Sequence, residues 1–230
     1  MQAYNEEENI EQVIKSWYPL IEEEDRADTS RLVVADSGSS DRTHEILMEL
    51  QKNYPKLQIL VDTEKQHGPK VLALYKYAIA QGADYIFQTD SDGQTDSMEF
   101  ENFWKMIEEY DLIIGNRTAR GDGKSRAYVE KVVCLLLRIY GVKIPDANAP
   151  FRLMRADIVN KYINRMPDDY NIPNIMFTTY FKYYDEKMLF KEISFRPRQA
   201  GNNSINIPRI MEIGWKALGD FRRFKREMMD

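Results

Sequence analysis

The chain has 230 residues, a formal net charge of −5 and 43% hydrophobic residues, which is typical of a single globular domain. The acidic balance disfavours general nucleic-acid binding, and no apolar stretch approaches the ~18–20 residues of a membrane-spanning helix. The single cysteine, Cys134, excludes an internal disulfide and permits a cytoplasmic location. With two histidines in the chain, a bound metal is expected on oxygen ligands.

The first half of the chain alternates between predicted strands and predicted helices. Short apolar runs that end in turn residues predict buried strands at residues 31–36, 57–61, 85–89 and 112–115. Apolar residues at helical spacing predict amphipathic helices at residues 10–21, 41–50, 71–78 and 98–109. This alternation predicts an α/β fold with a central, mostly parallel sheet and right-handed crossovers. Ligands of such sheets bind at the carboxyl ends of the strands.

The second half has a less regular pattern. It predicts an apolar helix at residues 129–139, strands at 151–155 and 188–198, and a long final helix at 205–229. We expect one domain over residues 1–230. At the N-terminus, Ala3-Tyr4-Asn5-Glu6 lies where a first strand should end, although almost no strand precedes it. Either the natural chain begins before Met1, or this strand is unusually short.

Two carboxylates follow the predicted strand at 85–89. Asp90 and Asp92 are one residue apart, and strand alternation puts both side chains on the same side. Two like charges so close need a cation between them, or one must bind a proton. Mg²⁺ or Mn²⁺ on these carboxylates and on substrate phosphates meets that need, with Gln94 as a further carbonyl ligand. The alternative is a solvated acidic turn, because Asp-x-Asp is a common tripeptide.

The turn after residues 31–36 carries a second candidate. Asp36 lies at the end of this predicted strand, where it could accept hydrogen bonds from a nucleoside base or ribose. Asp41, later in the same turn, is expected to be the N-cap of the next helix. Asp36 is therefore the better ligand candidate of the two.

Six short segments, each weak alone, follow one another in a single order. They are Tyr4-Asn5-Glu6, the turn at 36–43, His67-Gly68, Asp90-x-Asp92-x-Gln94, Gly115-Asn116-Arg117 and Asp146-x-x-x-x-Phe151-Arg152. Together they resemble glycosyltransferase family 2, and within it the dolichyl- and polyprenyl-phosphate sugar transferases, over most of the chain. The resemblance implies a GT-A type α/β fold and an inverting, metal-dependent transfer of a sugar from a UDP- or GDP-linked donor.

The resemblance also implies a role for each matching residue. The base and ribose would contact Tyr4, Glu6 and Asp36. The metal, and through it the diphosphate, would be held by Asp90, Asp92 and Gln94. The catalytic residues would be Asp92, Arg117 and Asp146. Arg117 would also belong to the nucleotide-sugar site, near its phosphates or the incoming lipid phosphate, and Asp146 would lie at the acceptor side. Residues 1–117 would form the nucleotide-sugar-binding half, and 118–230 the acceptor half.

Basic residues in the second half extend this assignment. A phosphate or acceptor loop would contain Arg126, Arg196, Arg198 and Ser204. The alternative for the stretch around Arg126 is a solvated surface loop. Departures from the family pattern at Gln2, Ser37, Pro69-Lys70 and 148–150 leave the nucleotide, the sugar and the acceptor open.

The class of acceptor decides what further group the chemistry needs. A lipid phosphate is already an anion, so it needs positioning by arginines and no general base. A sugar hydroxyl needs a carboxylate base within ~3 Å. Asp146 is the candidate base, unless it is only a turn residue after Pro145.

The predicted final helix gives a clue to the acceptor. Met211, Trp215 and Leu218 can share one face, and basic residues crowd its end. A basic amphipathic helix of this kind fits an anionic membrane surface, although the apolar stripe could instead pack on the domain. We expect a cytoplasmic protein with peripheral membrane contact, a lipid-phosphate acceptor and no nucleic-acid partner.

Three rival functions fit parts of the pattern. One is a sugar-hydroxyl glycosyltransferase of surface polysaccharide synthesis, with Asp146 as its base. Another is a non-catalytic protein that binds nucleotide sugars on the same scaffold. A nucleotidyltransferase is less compatible, because residues 4–9 hold no glycine where such enzymes usually carry a glycine-rich loop.

Overall fold

The computed structural model describes residues 1–23, 29–120, 133–139, 141–197 and 219. Strands β1 to β7 are Gln2–Ala3, Leu32–Asp36, Leu57–Leu60, Tyr85–Gln88, Leu112–Arg120, Arg152–Arg155 and Met188–Phe195. Helices α1 to α4 are Ile10–Glu23, Thr43–Gln51, His67–Ala80 and Glu101–Trp104. Helices α5 to α7 are 133–139, Ala156–Ile163 and Pro173–Tyr183.

The strands form two sheets that meet between β1 and β4. The first has the order β1-β2-β3, and its strands are parallel. The second has the order β4-β6-β5-β7, in which β6 is antiparallel to both neighbours and β7 is parallel to β5. The Ser91 hydroxyl donates to the Gln2 carbonyl (2.8 Å) and joins the two sheets.

The α/β fold and the predicted strands are therefore confirmed, with one change of topology. We expected a mostly parallel sheet, and within each sheet the strands of the first half run in the same direction, since β4 and β5 are both antiparallel to β6. However, β4 and β5 are not neighbours. Strand β6 comes from the second half and lies antiparallel between them. The sequence analysis did not predict this insertion, because strand periodicity reports burial on two faces and carries no information on which strand lies alongside.

Helices cover both faces of the second sheet. Along β5, Leu112 and Ile114 pack in one apolar cluster with residues of α3, α6 and α7. The residue between them, Ile113, packs in the other cluster with residues of α1 and α2. This alternation with a period of two is what a strand buried on both faces requires. The result is three layers with the sheet in the middle.

One predicted helix is wrong as a continuous element. Residues 97–109 form two short 3₁₀ turns on either side of α4. Phe100 packs against Phe87 (ring centroids 4.9 Å) and Phe103 against Phe151 (4.8 Å). The tighter turns allow aromatic rings on several sides of this segment to be buried, which an unbroken amphipathic helix would not do.

The apolar helix expected at 129–139 is confirmed for its described part, α5. The final helix expected at 205–229 lies outside the described residues, apart from residue 219. No helix in the described part of the chain is both long enough and apolar enough to cross a bilayer.

Gly68, in the first turn of α3, lies against the backbone that precedes α7. A Cβ atom at this position would contact the Tyr170 carbonyl oxygen and would lie 2.6 Å from the Asn171 Cα. Real Cβ atoms do not approach backbone so closely. Glycine is thus required for the first turn of α3 to pack under residues 170–171.

We predict that Gly68→Ala lowers the free energy of unfolding by about 1–3 kcal/mol, the usual cost of overpacking. Urea unfolding followed by circular dichroism measures the change. The control is Gln66→Ala, an exposed position two residues earlier, which should be neutral. A Gly68→Ala variant as stable as the control would contradict the close approach.

Candidate active site

The candidate residues meet at the edge where β1, β2 and β4 end. The Gln2 side-chain amide donates to Asp90 Oδ1, and the backbone N–H of Asn5 donates to Ser39 Oγ (3.1 Å). These contacts hold the segments after β1, β2 and β4 together at one place. The predicted position of the site, at the carboxyl ends of the strands, agrees with this arrangement.

Asp90 is held by groups from two elements, β1 and α3. Its Oδ1 accepts from Gln2 of β1 and lies 3.7 Å from His67 Nε2, at the start of α3. Burial alone would raise the pKa of Asp90, but His67, Gln2 and the Arg117 charge outweigh it and hold this pKa below its ordinary value. Asp90 is therefore a carboxylate at neutral pH, oriented before any ligand binds.

Asp92 and Gln94 shape the turn that follows. Asp92 Oδ1 accepts from the Gln94 backbone N–H (3.1 Å), and Gly93 has a φ of +71°, which favours glycine. The buried Gln94 amide donates through Nε2 to the Arg196 carbonyl (2.9 Å). Gln94 thus links the acidic turn to the end of β7, and its amide oxygen is the atom left for the predicted metal contact.

The donor set fits a divalent cation that shares its ligands with a substrate. Among the described residues, no group of three or more His, Cys, Asp or Glu could hold a metal by itself. Asp90 and Asp92 supply two carboxylates on one turn. Mg²⁺ and Mn²⁺ are commonly bound by one or two carboxylates plus substrate phosphates and water. A metal at this turn could take further ligands from a bound diphosphate and from water.

The three residues predicted for the base and ribose differ in environment. Tyr4 is 45% exposed, and its ring lies beside Lys70. Asp36 is buried, and its two oxygens contact Ser39 Oγ (2.5 Å) and His44 Nδ1 (3.2 Å). Its carboxylate is therefore oriented by its own turn and by α2.

Glu6 helps to hold the turn after β2 in place. Its carboxylate accepts from Asn9 Nδ2 (2.8 Å), and its backbone N–H donates to Thr43 Oγ1 (2.8 Å). Asp41 accepts from the Thr43 N–H (3.0 Å), so it binds the first turn of α2 as expected, although Arg42 occupies the N-cap position. These bonds fix the loop after β1 against the loop after β2.

Lys70 is a site residue that sequence patterns did not single out as functional. Its side chain is 1% exposed, and Nζ donates to the Ala3 carbonyl (2.6 Å) and lies 5.5 Å from the centre of the Tyr4 ring. Burial lowers the pKa of Lys70, and the charge of Asp36 opposes that shift. The sequence did contain a signal for Lys70, because it lies on a face of α3 that is otherwise apolar. A lysine on such a face is expected to have a partner, since lysines are seldom fully buried without one.

Arg117 and Asp146 form a buried, bidentate ion pair. Arg117 Nε donates to Asp146 Oδ2 (2.7 Å) and Nη2 donates to Oδ1 (2.8 Å). The two side chains are 8% and 3% exposed. The guanidinium also stacks on Phe195, 5.2 Å from the ring centre. The resemblance assigned separate roles to these two residues, and the structure brings them into direct contact.

Of the residues predicted for the basic loop, Arg196 is described. Its backbone N–H donates to the Gln94 carbonyl (2.8 Å), and its side chain pairs with Asp96. The end of β7 is therefore bound to the turn that carries Asp90 and Asp92. Arg126, Arg198 and Ser204 lie outside the described residues, so their predicted contact with phosphate stays a prediction.

We predict that Asp146→Ala lowers the free energy of unfolding by about 3–5 kcal/mol, because it leaves the buried Arg117 cation without this counter-charge. The double variant Arg117→Met with Asp146→Leu should recover most of that loss, because both charges are then removed. Urea unfolding of the single and double variants measures the coupling.

The matched control is the exposed pair Arg155–Asp157, 45% and 60% exposed. Replacing either of these residues with alanine should cost at most about 1 kcal/mol. If the loss in free energy of unfolding of the double variant equals the sum of the losses of the single variants at Arg117 and Asp146, the two residues are not a coupled ion pair.

Comparison of sequences identifies related proteins. Two dolichyl-phosphate beta-glucosyltransferases of Trichomonas vaginalis are 25% and 24% identical to this chain, each over 71% of it. The matches cover 56% and 55% of those proteins. The chain therefore spans about half the length of the curated relatives that it matches.

Solved structures with the same fold include glucosyl-3-phosphoglycerate synthase of Mycobacterium tuberculosis, with Mn²⁺ and UDP-glucose. It has a TM-score of 0.67 and 18% identity, over 94% of this chain and 74% of that one. The S. aureus protein TarS, residues 1–349, has a TM-score of 0.57 and 18% identity, over 85% and 58%. These likenesses establish the GT-A type fold.

The sequence profile described as Glycosyl transferase family 2 matches residues 1–163. This range contains both carboxylates of the acidic turn and the Arg117–Asp146 pair. It also covers more than half of the chain. The chain belongs to glycosyltransferase family 2.

Proposed function

We propose that this chain transfers a glucosyl group from a nucleoside diphosphate sugar to the phosphate of a polyprenyl or dolichyl lipid, with inversion and with Mg²⁺ or Mn²⁺. The observation that carries the choice of acceptor is the state of Asp146. Both oxygens of this carboxylate accept hydrogen bonds from Arg117.

A carboxylate engaged in this way is a poor general base. A sugar hydroxyl must lose its proton as it attacks, and the base must lie within hydrogen-bonding distance of that proton. Asp146 is 3% exposed and its oxygens are taken up by charge-assisted bonds. A lipid phosphate is already an anion, so its attack requires a cationic group that positions it and no proton acceptor.

Arg117 is the group that this proposal assigns to the acceptor phosphate. A guanidinium has five N–H donors in a planar fork, and Asp146 takes up two of them. Asp146 and the Phe195 ring hold the plane of the fork in place. The guanidinium is therefore held in one orientation, and arginine is well suited to recognise a phosphate in a fixed geometry.

On the donor side, Asp90 and Asp92 would hold the metal and the diphosphate. A divalent cation bound there would neutralise charge on the leaving nucleoside diphosphate. Gln2 and His67 keep the Asp90 carboxylate oriented. Tyr4, Asp36 and Lys70 would line the nucleoside pocket, with Tyr4 at its mouth.

The two Trichomonas relatives are dolichyl-phosphate beta-glucosyltransferases, which supports glucose as the sugar and a dolichyl-type phosphate as the acceptor. Formation of a β-glucoside from an α-linked donor requires inversion. The basic residues near the C-terminus, Arg222 to Arg226, support work at an anionic membrane surface. The proposal therefore includes peripheral contact with the cytoplasmic face of a membrane.

We predict that one of UDP, GDP and CDP stabilises the chain, and only with Mn²⁺ present. At 100 times its dissociation constant, a ligand adds about 2.7 kcal/mol to the free energy of unfolding, which thermal shift readily detects. Asp92→Asn should abolish the metal-dependent shift and turnover while the unliganded melting temperature stays close to that of the parent.

The control for this variant is Asp62→Asn, an exposed carboxylate after β3, which should behave as the parent. Near-normal turnover of Asp92→Asn at limiting Mn²⁺ would remove Asp92 from the metal site. Absence of a shift with every nucleotide would favour a non-catalytic protein on the same scaffold.

We also predict that radiolabelled sugar appears on polyprenyl phosphate in detergent and not on free sugar acceptors. Asp146→Asn, assayed at low temperature to offset its lower stability, should slow transfer by about 10- to 100-fold, because its amide can accept only one of the two Arg117 bonds and Arg117 is then less well placed. The dependence of turnover on pH should be unchanged. A general base supplies about 10²–10⁴-fold in rate. A loss of that size, together with transfer to a sugar hydroxyl, would favour the polysaccharide-type enzyme.

A further inference from the structure

Arg152 is a fully buried cation at the centre of the second sheet. It is the first residue of β6, opposite Gln88 of β4 and Ile114 of β5, and it has no exposed surface. Burying a cation costs several kcal/mol unless its hydrogen bonds are well satisfied. Burial accordingly lowers the pKa of Arg152, while the neighbouring Tyr75 and Asp146 act in the opposite direction.

The Arg152 guanidinium binds backbone. Nε and Nη2 donate to the Ala149 carbonyl (3.0 and 2.7 Å), and Nη2 also donates to the Ala147 carbonyl (3.4 Å). Nη1 donates to the Asn174 carbonyl in α7 (3.1 Å) and to Thr178 Oγ1 (3.5 Å). The cation thus ties the segment before β6 to the first turns of α7.

The segment held in this way carries Asp146. The Asn148 backbone N–H donates to Asp146 Oδ1 (3.2 Å), between the two carbonyls that face Arg152. The Thr178 hydroxyl contacts the Ala147 carbonyl as well (3.1 Å). Residues 146–149 are therefore held through their carbonyls by Arg152 and through the Asp146 carboxylate by Arg117.

We propose that Arg152 is a positioning residue for the acceptor: it fixes the backbone of residues 146–149, and so the orientation in which Asp146 holds the Arg117 guanidinium. This inference rests on the proposed transfer to a lipid phosphate. Arg152 has no contact with substrate in this assignment and acts through Asp146 and Arg117.

The geometry explains why arginine is needed there. Its planar fork reaches carbonyls that lie in different directions, whereas a lysine ammonium is a compact point charge on a flexible stem. An apolar side chain of similar volume would avoid the cost of burying a charge. It would leave the Ala149 carbonyl without the two bonds that now orient it.

The experiment compares Arg152→Lys and Arg152→Met with Arg155→Lys. Arg155 lies on the same strand but is exposed and paired with Asp157. Three readouts are taken: nucleotide affinity by thermal shift, kcat/KM for polyprenyl phosphate, and hydrogen exchange of peptides that cover residues 146–152. The exchange readout includes the Asn148 amide and needs no activity.

We expect Arg152→Lys to fold and to bind nucleotide within about threefold of the parent. Its kcat/KM for the acceptor should fall by about 10- to 100-fold, as misplacement of a binding group by about 1 Å can do. Exchange at 146–149 should be faster. Arg155→Lys should match the parent in all three readouts.

Two results would overturn the positioning role. One is unchanged exchange at 146–149 in Arg152→Lys, and the other is an equal loss of nucleotide affinity and acceptor kcat/KM. If Arg152→Met fails to fold, the exchange and the acceptor kcat/KM of Arg152→Lys still test the positioning role. If the parent shows no transfer to lipid phosphate, the proposed function fails, and the exchange readout alone tests whether Arg152 holds this segment.

Discussion

The ion pair between Arg117 and Asp146 joins two parts of the chain that the sheet alone would not hold in register at the site. Arg117 lies on β5, and Asp146 lies in the irregular segment that leads into β6. Because both charges are buried, neither can be present without the other at reasonable cost. The geometry of the acceptor side therefore depends on this contact, and the Arg117 charge also helps to keep Asp90 ionised.

Much of the fold could be predicted from sequence because its signals are local. The apolar runs of β2, β4 and β5, and the periodic face of α1, report burial directly. The position of β6 could not be predicted, because antiparallel insertion between β4 and β5 is a long-range choice. The broken helix at 97–109 failed for a related reason: its rings pack against partners distant in sequence.

The same distinction applies to the candidate site. Asp36 is the last residue of β2, and Asp90 and Asp92 lie in the turn that follows β4, so their placement at one edge follows from topology. The pairing of Arg117 with Asp146, and the burial of Lys70 under Tyr4, depend on contacts between segments far apart. Those contacts change the chemistry expected of the residues. The sequence allowed Asp146 to be a general base, whereas in the structure it is the counter-ion of Arg117.

The insertion of β6 has a consequence for the order of assembly. The first sheet joins strands close in sequence, whereas β4 takes its ladder partner from β6, with Gln88 opposite Arg152. Contacts that close long loops form slowly. During synthesis, β1 to β3 can pair early, while β4, the strand before the acidic turn, waits for β6 to leave the ribosome. The acidic turn and the acceptor segment therefore gain their fixed positions together, in a late step of folding.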